Sequence, residues 1–131
     1  MELHDGPEKF YRAKLAESRL RRSHKDKDAA GCLAAAAEYD ALKLTDCGGL
    51  FGAACIRALC ARVIPLDPKT PAADAARLAR EQADQAMVWL HKAIAAGFSD
   101  TARVKTDEDL DALRQREDFK EMLAELEAKK K

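Results

Sequence analysis

The sequence predicts an all-α domain, on three observations. Alanine supplies about a fifth of the 131 residues, and it has the best helix propensity and lets helix axes approach closely. Aromatic residues are only 5%, and no stretch alternates polar and apolar side chains over a strand's length. Apolar residues instead return at three- and four-residue steps, most clearly at Ala79, Ala83, Ala86, Leu90 and Ala93. At this length residues 1–131 form one domain, able to bury a modest core without disulfides or metals.

The first helix is expected over about 8–24. Pro7 suits a first helical position, with Asp5 or Gly6 ahead of it as a cap. Phe10, Ala13, Ala16 and Leu20 fall near one face, and Arg12, Lys14, Glu17 and Arg21 lie away from it. Ser23 to Asp28 breaks the pattern, and its Asp residues can cap the next helix. That second helix is expected over 28–44, with Leu33, Ala36, Ala37 and Leu44 as its apolar stripe and Tyr39 and Leu42 at its flanks. Gly48 and Gly49 are expected in the turn that ends it, relieving the backbone there.

The third helix, over 50–64, is apolar nearly all round, with only Arg57 and Arg62 strongly polar. Such a helix belongs at the centre of a fold. Its expected length and its arginines argue against a membrane span. Three of the four prolines, Pro65, Pro68 and Pro71, then forbid continuation. A fourth helix runs from 72 or 74 to 96. Gly97 offers a left-handed C-cap, and Phe98 can fold back onto Ala93 or Ile94. Downstream, a turn holding Val104, the capping run Thr106 to Asp109, and a last helix with Phe119, Met122, Leu123 and Leu126 make a tail. The organisation is thus a first pair over 7–44, a second over 48–98 and a cap over 99–131.

Several function classes are disfavoured. Lys plus Arg equals Asp plus Glu at 23 each, giving net charge zero, whereas nucleic-acid modules carry a positive excess. The one basic stretch (Arg19, Arg21, Arg22, Lys25, Lys27) lacks nearby aromatics to stack bases and is interrupted by Asp26. No secretory signal is visible, so a cytoplasmic setting with reduced thiols is expected for Cys32, Cys47, Cys55 and Cys60. Cys55 and Cys60, the nearest pair, point well apart on one helix, and no metal-ligand spacing occurs. Asp107, Asp109 and Asp111 imitate the start of a calcium loop, but Ala112 stands where glycine is needed and Asp118 where Glu is needed. His4, His24 and His91 are scattered, and no serine sits in a nucleophile motif.

Three segments in order, GLFGAACIRAL, then WLHKAIAAGF, then DEDLDALRQREDF, resemble a terminal tetratricopeptide (TPR) unit. Such units occur at the C-terminus of large bacterial serine/threonine protein kinases and in related repeat proteins. The resemblance spans about residues 30–126, and it departs at Gly52, where the family usually has Asn. It implies a TPR-like stack of antiparallel helix hairpins with a short helical cap, and a scaffold for protein or peptide partners, a kinase system among them. Kinase motifs are missing from the sequence: no glycine-rich phosphate loop, V-A-I-K lysine, H-R-D or D-F-G.

The expected function is therefore a non-catalytic protein-interaction module without a cofactor, whose groove lies along the first helix of each pair. Arg12, Arg19, Arg57 and Arg62 are its candidate contacts, because arginine on an apolar helix either reads a ligand's acid group or pairs with a carboxylate of its own chain. Both readings of Arg57 and Arg62 stand. Trp89, the one tryptophan, is packed or anchors a partner. The alternative is a structural cap that self-associates, since two helix pairs are fewer than the three repeats usually needed for independent stability.

Overall fold

The computed structural model describes residues 7–129. They form α1 (Pro7–Lys25), α2 (Ala29–Asp40), α3 (Cys47–Val63) with a 3-10 turn at Ile64–Leu66, α4 (Ala72–Ala95), α5 (Thr101–Thr106), a second 3-10 turn at Glu108–Leu113, and α6 (Glu117–Lys129). No strand occurs among the described residues. The domain is all-α, as the sequence requires. The expected caps at Asp5 or Gly6 lie outside the described residues.

Two of the expected helix ends move. Leu42 and Leu44 extend the apolar pattern of α2, yet the helix stops at Asp40 and Lys43 takes a left-handed φ of 51°. Leu42 is still buried, reaching the core from the loop instead of from a helix. Correspondingly α3 starts at Cys47, capped by Asp46, whose carboxylate accepts from the Gly49 amide at 3.0 Å. Gly48 and Gly49 are therefore helical and do not make the turn. Gly49 is small for another reason: a Cβ there would lie 2.7 Å from Leu44 Cβ and 2.8 Å from an Asp46 carboxylate oxygen.

The end of α4 follows the sequence closely. Gly97 has φ 110°, its amide donates to Ile94 O at 3.0 Å, and the Phe98 amide donates to Ala93 O at 2.9 Å. These are the two hydrogen bonds of a Schellman motif. The Phe98 ring lies on Phe51 of α3, with centroids 4.2 Å apart and planes 7° from parallel. The stacking ties the C-terminus of α4 to the second turn of α3.

α3 is a wall shared by two apolar clusters. Phe51, Ala54, Cys55, Ala58 and Ala61 face α4, the second 3-10 turn and α6, where Leu90, Leu110, Leu113, Phe119 and Met122 are buried. Ala53, Ile56, Leu59, Cys60 and Val63 face α1 and α2, against Leu20, Cys32, Ala36 and Tyr39. Filling both sides explains why its sequence is apolar all round. Helix and turn together reach 20 residues, Cys47–Leu66, so by length and composition the segment could cross a membrane. The expected length was too short because the glycines begin the helix and the 3-10 turn prolongs it. In the fold most of this segment is buried against the protein's own side chains.

Asp67, just past that turn, is a buried acid. Its carboxylate accepts from the Ala29 amide (2.8 Å) at the start of α2 and from the Lys69 amide (2.8 Å). Those two hydrogen bonds, Ala29's first, hold its pKa below the usual aspartate value. A carboxyl with a lowered folded pKa stabilises the fold above its unfolded pKa, near ~3.9, and that contribution disappears as pH falls through the folded value. Asp67→Asn is thus expected to lower Tm at neutral pH, and the difference from the native chain is expected to shrink as pH falls through the folded pKa of the native carboxyl. Thermal melts across the acid range check this, and a difference that does not change with pH would show that the charge contributes nothing.

Candidate interaction surfaces

The four arginines do not share a groove. Arg57 ties three helices together: Nη2 donates to Asp40 at the end of α2, and Nη1 to Gln82 Oε1 of α4 at 2.8 Å. Only 17% of its side chain is exposed. It is used inside the chain, as one of its two sequence readings allows. Arg62 is half exposed and faces Asp111 of the cap loosely, at 3.9 Å. Arg12 lies one turn from Glu8 at 3.3 Å, and Arg19 reaches Glu38 on α2 at 2.5 Å. These two stand on a different side of α1 from the one that faces α3.

Trp89 is half buried and packs against both apolar clusters, with Lys92 Nζ 4.6 Å from its ring centroid. Its Nε1 and the Arg57 Nε are buried without a hydrogen-bond partner among the described residues. A recess of about 20 Å³ between Tyr39, Leu50, Ala53 and Trp89 is sized for a single water.

A larger cleft, of about 430 Å³, opens between α1 and the start of α3. Phe10, Ala13, Lys14 and Glu17 of α1 form one wall, and Tyr39, Leu44, Asp46 and Gly49 form the other. Its position follows from local structure. The left-handed Lys43 ends α2 early, and the Asp46 cap restarts the chain as α3, so Leu44 and Asp46 stand opposite α1. Phe10 is 64% exposed. Lys14 Nζ sits 5.3 Å from its ring centroid and 3.5 Å from Glu17. At the floor, Tyr39 donates its hydroxyl to Gly49 O at 2.9 Å, and burial holds the phenol's pKa well above its usual value. The floor is thus neutral and apolar, and the charges are at the rim.

The fold also gathers groups that sequence spacing keeps apart. Cys55, Asp107 and Asp109 offer ligand atoms all within 4.8 Å of one another. Both carboxylates are engaged: Asp109 takes a two-pronged contact from Arg21 at 3.1 Å, and Asp107 accepts from Arg103 Nε at 3.4 Å. Burial, then the charge of Asp107, pushes the Cys55 thiol up, which disfavours the thiolate a metal would need. A cation here would have to displace two guanidinium groups. Cys32 and Cys60 are fully buried in the cluster shared by α2 and α3. A hydrogen bond donated to Cys32, together with burial, raises the Cys60 thiol.

No family model, no curated protein and no solved structure matches the chain. The cleft itself was missed in the sequence because its lining comes from three separate segments. The signal available was Phe10, an aromatic on the N-terminal turn of α1 among lysines.

Proposed function

We propose that the chain is a non-catalytic, TPR-like interaction module, with its two helix pairs stacked as hairpins and α5 to α6 as a cap. Its ligand is a short extended peptide segment held in the cleft between α1 and α3, the first helices of the two pairs. The cleft's composition carries this reading. Phe10, Leu44 and the Tyr39 ring offer an apolar bed for one side chain, and Lys14 at the rim offers a cation to an acidic neighbour. Exposed aromatics beside a pocket are the residue type that anchors partners. Given the sequence resemblance, proteins of bacterial serine/threonine kinase systems in the cytoplasm are the expected sources of such a segment.

Peptide display against the full chain tests this. Enriched peptides are expected to pair a bulky apolar residue with Asp or Glu. They are expected to bind the Phe10→Ala/Lys14→Glu variant at least ~10-fold more weakly, a difference of about 1.4 kcal/mol. Circular dichroism would establish that the variant is folded, both side chains being exposed. Peptides that bind variant and native chain equally would place the ligand elsewhere.

A further inference from the structure

The side of α1 and α2 that no other element covers among the described residues has a composition unlike a solvated surface. On α2 and its C-cap the exposed residues Ala30, Ala34, Ala37 and Ala41 recur at three- and four-residue steps, with Glu38 the one charge among them. A helix face in water is normally polar. Alongside, α1 exposes Tyr11 (68%) and Leu15 (40%). With Arg12, Arg19, Glu38 and Leu42 they border a groove of about 630 Å³. The apolar strip on α1 is flanked by an ion pair at each end, Glu8 with Arg12 at its N-terminal end and Arg19 with Glu38 of α2 at its C-terminal end.

We infer that this face binds a second copy of the same chain, through α1 paired antiparallel with α1 of its partner about a two-fold axis level with residues 13 and 14. Reversing the order Glu8, Tyr11, Leu15, Arg19 sets Tyr11 against Leu15 of the other copy, and Glu8 against its Arg19. The spacings differ on reversal by only one residue, about 1.5 Å of helix rise, which Glu and Arg side chains span. Such a strip is complementary to itself, as a two-fold interface must be. The chain's net charge of zero adds no long-range repulsion between copies. The alanines of α2 allow close approach beside the strip. Two helices side by side, each ~10 Å across and ~18–28 Å long, offer a face at or below the size of a standard interface, so the dimer dissociates on dilution.

The inference is independent of the peptide cleft, which lies on the other side of α1, and the Phe10→Ala/Lys14→Glu variant is expected to dimerise normally. Sedimentation velocity of the full chain over a wide concentration range is the test. The native chain is expected to pass from monomer to dimer. Glu8→Arg alone and Arg19→Glu alone each set like charges at positions 8 and 19 against each other across the two-fold axis and are expected to weaken the dimer about 10-fold. Leu15→Arg is expected to weaken it at least as much. An equimolar mixture of the Glu8→Arg and Arg19→Glu chains is expected to recover dimer, because each cationic end then meets a carboxylate. All these positions are exposed, and unchanged circular dichroism would establish folding. A native chain that stays monomeric up to ~1 mM, well above the concentrations at which weak specific contacts form, would overturn the inference. So would a dimer indifferent to all three substitutions, or a mixture that stays monomeric.

Discussion

Replacing Phe51 with alanine is expected to lower the unfolding free energy by about 3–5 kcal/mol, the cost of deleting a buried aromatic and leaving a cavity. Phe51 is 1% exposed. One face of its ring carries Phe98, and the Arg103 guanidinium lies 4.9 Å from its centroid. The loss therefore loosens three joints at once: the start of α3, the end of α4 and α5. Domains of this size are stable by only about 5–15 kcal/mol, so the variant should melt roughly 10–25 °C lower. Phe51→Leu, which keeps much of the volume, is expected to cost less than half as much. Urea and thermal unfolding of both variants check the pair. A loss below ~1 kcal/mol for alanine would mean that the contact between α3 and α4 is not packed as described.

Gly52→Ala is expected to destabilise the chain by about 1–3 kcal/mol, although alanine is the better helix former by ~1 kcal/mol. A Cβ at this position would lie 2.3 Å from the Tyr39 hydroxyl oxygen and 3.0 Å from Cζ. Tyr39 is 4% exposed and anchored by its hydrogen bond to Gly49 O, so it has nowhere cheap to move. Steric conflict wins over propensity. Tyr39→Phe removes the oxygen that collides, so Gly52→Ala should cost at least ~1 kcal/mol less in that background. A double-mutant cycle measured by urea unfolding reads that coupling directly. If Gly52→Ala proved neutral or stabilising, the notch that seats Tyr39 would not exist.

What the sequence revealed and what it hid divide along the range of the interactions. Periodicity and caps are local, so α1, α4 and its glycine end were legible, and so was the central place of α3. The end of α2 was not, because Leu42 and Leu44 continue an apolar pattern that the backbone abandons. Gly48 and Gly49 look like a turn in sequence. Their role is set by Leu44 and Asp46 folding back over them, a contact that no propensity encodes. Whether Arg57 reads a ligand or holds the fold depends on Asp40 and Gln82, 17 and 25 residues away. The meeting of Cys55 with Asp107 spans 52 residues. Three of the arginines did mark charged junctions, on different sides of the molecule. The cleft and the outer face of α1 were invisible until two helices were set side by side.

The two-sided wall made by α3 also constrains the order in which the protein can be born. One side, facing α1 and α2, can be covered almost as soon as α3 is made, because its neighbours precede it in the chain. The other side carries Phe51, Ala54, Ala58 and Ala61, and waits for Leu90, Leu110, Phe119 and Met122. A ribosome adding about 5–20 residues per second needs several seconds to supply them. During that interval the part of the chain already made holds none of the side chains that cover this second face of α3 in the folded domain.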